Sequence, residues 1–270
     1  MQACSRLRYS AGDGSDDCGD KRDNDAERVR ISSEQEGALQ KPQVRAVTHF
    51  PLELLDDLRS QAGHAATVSG QGPDGWTKSE TDPMDVLAVF KTLRIKPGYV
   101  LRGYQFRAHY DGNGVVYALP EGEFPDPADC PADERYALAP PVPIQALKSW
   151  MDAIEGDGSS LSYLSASILL RELAEFGAIW HGCSWSSHQF LDANPVASQA
   201  ADQWQWQHQG RIDWRPRATQ SKNCVTISFC TFTGLVCEQI LRHSDVFSID
   251  SYRPTCKVVT LATGPRGYVH

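Results

Sequence analysis

The longest helical pattern in the chain extends from Leu161 to about Phe190 and constrains the fold more than any other segment. Its apolar side chains form one continuous arc when residues are placed about 100° apart, as in an α-helix. Arg171, Glu172 and Glu175 lie opposite that arc, and the i, i+4 spacing of Arg171 and Glu175 predicts a solvent-exposed ion pair. Further apolar residues interrupt this polar side. We therefore expect a helix that is covered on several sides and lies at the centre of the fold.

The flanking residues place this central helix at about residues 160–181. Ser159 or Ser160 can cap its N-terminus, since a serine side chain accepts a hydrogen bond from the first turn. Gly182 suits the C-terminal stop, because glycine adopts positive φ without a Cβ clash. His181 then falls in the last turn, beside carbonyl groups at the negative end of the helix dipole.

The residues after the central helix bring nucleophiles, imidazoles and aromatic rings into one loop, and loops held by rigid elements often carry function. One hypothesis is a binding or interaction domain whose pocket at the helix end is lined by aromatic and histidine side chains. The other is a cofactor-free hydrolase, with Cys183 or Ser184 as nucleophile and a histidine base. The predicted site residues are His181, Cys183 and His188 for catalysis, and Trp180, Ser184, Trp185 and Arg107 for ligand binding.

Known catalytic and cofactor motifs are missing from the sequence. It contains no GxSxG, no Walker lysine loop, no GxGxxG after a strand and no HExxH. The eight cysteines include no CxxC pair, which removes the strongest zinc signal. We therefore predict neither a cofactor nor a metal site. Reduced thiols in a reducing compartment are the simplest reading of these cysteines.

Charge and hydropathy narrow the class of partner. A formal net charge of -8 argues against a general nucleic-acid binder, which would show a basic surface. No apolar run approaches the ~18 residues that span a bilayer, and the N-terminus shows no apolar signal core. The expectation is a soluble cytoplasmic protein that binds neither nucleic acid nor membrane. Whether its partner is a small molecule or a protein, and which oligomeric state it adopts, stay open.

The remaining segments predict an α+β fold. Residues 1–45 are polar and aperiodic and are expected to form a disordered tail, with a single α+β domain over residues 46–270. Helices are predicted over residues 50–59, from Asp82 with Pro83 in the first turn, and over residues 144–154. The fold would contain an antiparallel sheet of at least four strands packed against helices.

Alternating residues near position 100 predict a hairpin whose turn is formed by residues 111–114, and whose second strand ends near Leu119. The polar side chains of its first strand form either a binding face or the solvated side of the sheet. Strands are also predicted over residues 224–232 and 257–262, and residues 235–243 fit a helix or a strand. The two hairpin-like regions are expected to meet in one sheet. Trp204, Trp206 and Trp214 form either a stacking platform for a ligand or part of the core.

Overall fold

In the computed structural model, the described residues are 46–68, 72–109, 111–136, 138–179, 183–196, 202–208 and 210–267. The predicted disordered tail, residues 1–45, lies outside them. In chain order the strands and α-helices are β1 (Ala46–His49), α1 (Leu52–Ala65), β2 (Gly75–Lys78), α2 (Pro83–Val89), β3 (Leu93–Ile95), β4 (Tyr99–Ala108), β5 (Asp111–Pro120), β6 (Ile154–Gly156), α3 (Ser160–Ala174), β7 (Gln189–Leu191), β8 (Gln205–Trp206), β9 (Arg217–Gln220), β10 (Cys224–Thr233), β11 (Gln239–Ser248) and β12 (Thr255–Thr263).

The largest unit is a seven-stranded antiparallel sheet with the order β1-β9-β10-β11-β12-β8, in which β7 also pairs with β10. Because β11 occupies one edge of β10, β7 and β9 share the other edge. This sheet and the helices packed on it confirm the predicted α+β class. Residues 239–248 form a strand, so the second half of the segment 235–243, which fitted either a helix or a strand, is a strand.

The hairpin of β4 and β5 lies in a separate three-stranded sheet with β2, and β3 pairs with β6 alone. The expectation that both hairpin regions meet in one sheet is therefore wrong. The reason is the central helix: α3 contacts β9 and β10 on one side and β3 and β5 on the other. Each hairpin covers a different side of it, and one core cluster includes residues of all three helices and both larger sheets.

The central helix α3 begins as predicted, with the Ser159 side chain accepting a hydrogen bond from the Ser162 backbone N–H at 3.1 Å. Every residue from Ser162 to Leu170 is buried, so the helix is covered on all sides. It ends at Ala174, earlier than the predicted end near residue 181. Gly177 adopts φ +71°, and a Cβ at this position would clash with Gln105. The chain therefore leaves the helix at this glycine instead of at Gly182.

Two of the other predicted helices are present. Helix α1 extends to Ala65, and α2 starts with Asp82 accepting a hydrogen bond from the Met84 N–H at 2.9 Å. The helix predicted over residues 144–154 is wrong, because only a 3₁₀ turn from Trp150 to Ala153 forms before β6. The Leu147 N–H bonds to the Ala118 carbonyl of β5 at 3.0 Å, so this backbone pairs with the sheet rather than with itself.

The turn between β4 and β5 lies before its predicted position. Ala108 pairs with Asp111, so the chain reverses between these two residues, and His109 has φ 57°. Residues 111–114 belong to β5 instead. Glycine is required at Gly114 because a Cβ there would clash with the carbonyl oxygen of Phe176.

The polar residues of β4 do not form a solvated side. Gln105 is fully buried and Arg107 is 5% exposed. The Gln105 side chain donates a hydrogen bond to the Gly177 carbonyl at 2.6 Å, and thereby ties β4 to the chain that follows α3.

Gly114→Ala is expected to lower the free energy of unfolding by about 2 kcal/mol, because backbone cannot move aside as a side chain can. Urea denaturation measures the change. Gly63→Ala is the matched control: it lies inside α1, its Cβ would come no closer than 4.0 Å to Glu172, and alanine is the better helix former. The control should raise stability by about 0.5–1 kcal/mol. Equal effects of both substitutions would contradict the close approach at Gly114.

The outer face of the seven-stranded sheet carries a second, smaller core. Trp204, Trp206 and Trp214 are half-buried and pack against a cluster that contains Cys230 and Ile240. The rings of Trp206 and Trp214 meet edge to face, with centroids 6.5 Å apart. Of the two alternatives for these tryptophans, the structure favours the filling of a core.

Candidate functional site

The candidate site is the loop of residues 183–188, called here the site loop, together with the groups that hold it. Trp180 and His181 lie outside the described residues. The site loop connects the end of α3 to β7, which pairs with β10. Its position is fixed by contacts with α1, α3 and β10.

Two carboxylates at the C-terminal end of α3, Glu172 inside the helix and Glu175 directly after it, bind the site loop. Glu175 accepts hydrogen bonds from the consecutive backbone N–H groups of Ser184, Trp185 and Ser186. Glu172 accepts one from the indole N–H of Trp185 at 2.6 Å. The prediction of a solvent-exposed ion pair between Arg171 and Glu175 is therefore wrong, because Glu175 bonds to the site loop and Arg171 bonds to Asp245.

Arg59 of α1 holds the site loop from the opposite side. Its guanidinium donates hydrogen bonds to the backbone carbonyls of Trp185 and His188 and lies 4.8 Å from the centroid of the Trp185 ring. Its Nε is 3.8 Å from Glu172 Oε1. Trp185, predicted as a ligand-binding residue, is 7% exposed and forms part of the core beneath the loop.

A buried ion pair lies under the site loop. The guanidinium of Arg171 donates to both carboxylate oxygens of Asp245, at 2.6 and 3.0 Å. Asp245 is fully buried and the Arg171 side chain is 12% exposed. This two-point geometry, with α3 on one side and β11 on the other, fixes the helix against the large sheet.

A chain of hydrogen bonds leads from this ion pair to His188. Arg171 Nη2 lies 3.4 Å from His243 Nδ1, His243 Nε2 lies 2.8 Å from Thr231 Oγ1, and Thr231 Oγ1 lies 3.0 Å from His188 Nδ1. A guanidinium can only donate, so His243 Nδ1 must accept and the proton of His243 is on Nε2. The Thr231 hydroxyl oxygen accepts a hydrogen bond from His243 Nε2–H, and the hydroxyl hydrogen is donated to His188 Nδ1. The proton of neutral His188 is therefore on Nε2.

The Nε2–H group of His188 has no hydrogen-bond partner among the described residues. The ring is half-buried and lies 5.2 Å from that of Trp185, centroid to centroid. The buried chain thus fixes both the orientation of the imidazole and the nitrogen that carries its proton.

Burial changes the ionisation of these groups. It raises the pKa of Glu172 to about 7, against the opposing effects of the Trp185 hydrogen bond and Arg59. It lowers the pKa of His188 to about 4, and the positive charges of Arg59 and Arg171 add to this. Burial and Arg171 also lower the pKa of His243 well below its ordinary value. Both imidazoles are therefore neutral at pH 7.

The other predicted site residues lie in different surroundings. Burial and the charge of Glu175 raise the pKa of Cys183, whose thiol points to the Ala178 carbonyl at 3.7 Å. Ser184 is exposed at the start of the loop. Arg107 belongs to the three-stranded sheet, where its guanidinium lies 3.4 Å from Thr77 Oγ1. In the described part of the chain, His, Cys, Asp and Glu side chains form no group of three that could hold a metal ion.

Thr231→Val is expected to lower the free energy of unfolding by about 2 kcal/mol, because the His243 N–H and the His188 Nδ1 lose their buried partner. Thr231→Ser keeps the hydroxyl and should cost about 1 kcal/mol, from the lost methyl group. Urea denaturation of the two variants measures the difference. A valine variant as stable as the serine variant would exclude a bridging role for this hydroxyl.

Several members of this network were not predicted, and two kinds of signal pointed to them. His243 and Asp245 alternate with Leu241 and Phe247 on the inward face of β11, so two polar side chains interrupt an apolar face. This pattern was hidden because the segment fitted a helix as well as a strand. Arg59 follows Leu55 at i, i+4 on the inward side of α1, where a cation needs a buried partner.

The chain matches no protein-family model, no curated protein and no solved structure. Within the described residues, no helix is long and apolar enough to cross a bilayer.

Proposed function

We propose that the protein is a binding or interaction domain whose site loop recognises a hydrogen-bond acceptor on a small molecule or a protein partner. The observation that carries this proposal is the Nε2–H of His188, which has no partner among the described residues and is held in one orientation by the buried chain of hydrogen bonds. A donor that is ordered before binding loses little conformational entropy when a ligand arrives. Exposed Ser184 and Ser186 beside it offer further polar groups.

The same geometry favours binding over a hydrolase that uses Cys183 or Ser184. A thiol nucleophile needs a lowered pKa, whereas burial and Glu175 raise the pKa of Cys183. A general base needs a free lone pair, but His188 Nδ1 accepts the Thr231 hydroxyl proton and Nε2 already carries a hydrogen. Among the described side chains of the site loop, neither condition for activating a nucleophile is met.

A cytoplasmic location is part of the proposal. The six cysteines in the described part of the chain are unpaired thiols, which supports a reducing compartment. Cys230 is buried as a small apolar side chain, and Cys224 lies on the same strand, β10.

NMR of the folded, ¹⁵N-labelled protein tests the proposal. We expect His188 to be protonated on Nε2 at pH 7, and the resonances of His188 and of the Ser184 and Ser186 amides to shift on titration with sodium acetate at constant ionic strength. His188→Phe keeps an aromatic ring but removes the donor, and should abolish these shifts. Protonation on Nδ1, or acetate shifts that survive in His188→Phe, would overturn the proposal.

Iodoacetamide labelling tests the hydrolase alternative separately. We expect Cys183 to react slowly below pH 8, as an ordinary or buried thiol does. Fast alkylation of Cys183 below pH 7 that is lost in His188→Phe would instead support a thiol nucleophile with a histidine base.

A further inference from the structure

A second candidate site lies at the other end of α3, beyond the site loop. A cleft of about 390 Å³ opens between β3, β6, the 3₁₀ turn before β6 and the connection from β11 to β12. Its volume falls within the range of small-molecule sites, which is roughly 300–1,000 Å³. Its lining includes side chains of both charge signs and the ring of Tyr252.

The wall formed by Tyr252 is rigid before any ligand binds. Its ring stacks on that of Tyr163, with centroids 4.7 Å apart and an angle of 7° between the planes. Its hydroxyl accepts a hydrogen bond from the Gly158 N–H at 2.8 Å and shares another with Ser162 Oγ at 2.7 Å. Gly156 makes room for this ring, because a Cβ there would clash with it.

Most charges in the cleft neutralise each other. Arg94 pairs with Glu155 at 3.0 Å, and Asp152 pairs with Arg253 at 3.2 Å. These four groups need no ligand to balance their charge.

Two charged side chains of the cleft, Lys96 and Asp250, have no ion-pair partner among the described residues. Lys96 donates to the backbone carbonyl of Asp152 at 2.6 Å and has no carboxylate partner among the described residues. The exposed carboxylate of Asp250 forms no hydrogen bond or ion pair with another described residue. The complement of this pair is a molecule with one carboxylate and one ammonium group.

We infer that this cleft binds a zwitterionic small molecule of the α-amino acid or dipeptide class, with its ammonium group at Asp250 and its carboxylate at Lys96. The inference does not depend on the proposed role of the site loop. The two sites are separated by the length of α3 and use different residues.

Glycylglycine is the probe, titrated into the ¹⁵N-labelled full-length protein. We expect shifts of the Ser251, Tyr252 and Gly158 amides. N-acetylglycylglycine lacks the ammonium group and glycylglycinamide lacks the carboxylate, so each should bind about tenfold more weakly, as expected for the loss of a charged hydrogen-bond partner.

Two variants assign the ends of the ligand. Asp250→Asn should weaken the binding of glycylglycine about tenfold and leave the binding of N-acetylglycylglycine unchanged. Lys96→Met should also weaken the binding of glycylglycine about tenfold, and it should leave the binding of glycylglycinamide unchanged. Asp129→Asn, an exposed carboxylate outside the cleft, is the matched control and should have no effect. Equal binding of all three peptides, shifts unaffected by Asp250→Asn, or no shift of the cleft amides at millimolar glycylglycine would each overturn the inference.

Discussion

Asp245→Asn is expected to lower the free energy of unfolding by about 3–5 kcal/mol, because it leaves the Arg171 guanidinium in the interior without its carboxylate partner. Asp245 is fully buried and Arg171 is 12% exposed, so water cannot replace the lost charge. The same substitution removes the cation's partner at the base of the hydrogen-bond chain that orients His188. Urea denaturation at pH 7 measures the loss of stability, and the NMR signals of His188 report its orientation.

The matched control is the exposed ion pair of Arg94 and Glu155, whose side chains are 70% and 34% exposed. Glu155→Gln should change stability by less than about 1 kcal/mol, since exposed pairs contribute little. The double variant Arg171→Met with Asp245→Val removes both buried charges and should recover more than half of the loss. If Asp245→Asn alone cost no more than Glu155→Gln, the buried pair would not anchor α3 to the sheet.

Glu172→Gln is expected to stabilise the protein at pH 8 by about 2–3 kcal/mol and to have little effect at pH 4. The pKa of Glu172 is raised to about 7 from its ordinary value of 4.5, mainly by burial. The folded protein therefore holds this proton more tightly than the unfolded chain does. The corresponding stability is fully present below pH 4.5 and is lost as the pH rises through 7. Glutamine resembles the protonated carboxyl and can still accept from the Trp185 indole, so it avoids this loss.

His188 has the opposite effect on the pH dependence of stability. Its pKa is lowered to about 4 from 6.5, so as the pH falls the unfolded chain takes up this proton first, and stability is lost between pH 6.5 and 4. The two effects partly cancel in the natural protein. Comparing Glu172→Gln with the unmutated chain at each pH removes the contribution of His188.

The measurement is urea denaturation of both proteins from pH 4 to pH 8, with Glu155→Gln as an exposed control that should show no comparable pH dependence. A Glu172→Gln variant less stable than the natural protein at pH 8 would mean that the pairing with Arg59 outweighs the cost of burying the charge.

Local sequence rules were sufficient where neighbouring residues decide the structure. The caps at Ser159 and Asp82, the buried character of the central helix and the strand that contains Cys224 and Cys230 all follow from short-range patterns, and the structure confirms them. The α+β class follows as well, because alternating and helical periodicities report which faces must be covered.

Contacts between distant segments decided the rest. The end of α3 depends on the approach of Gln105 to Gly177, and the hairpin turn depends on the approach of Phe176 to Gly114. Neither contact can be inferred from the sequence around the glycine, since the partner lies far along the chain. The sequence predicts Gly114 in the hairpin turn and Gly177 within the central helix, but the structure uses Gly114 to make space inside β5 and Gly177 for a left-handed bend after α3.

In the candidate site, too, some features follow from the local sequence and others from contacts between distant segments. The sequence by itself determined that Trp185 and His188 follow the central helix in one loop. Only the tertiary structure decided that Trp185 is part of the core, that His188 Nδ1 bonds to the Thr231 hydroxyl, and that Glu172 and most of Arg171 are buried rather than solvated. The physical reason is that a polar side chain can be buried only where a partner satisfies it. For these residues the partners, Arg59 and Asp245, are supplied by other elements of the fold.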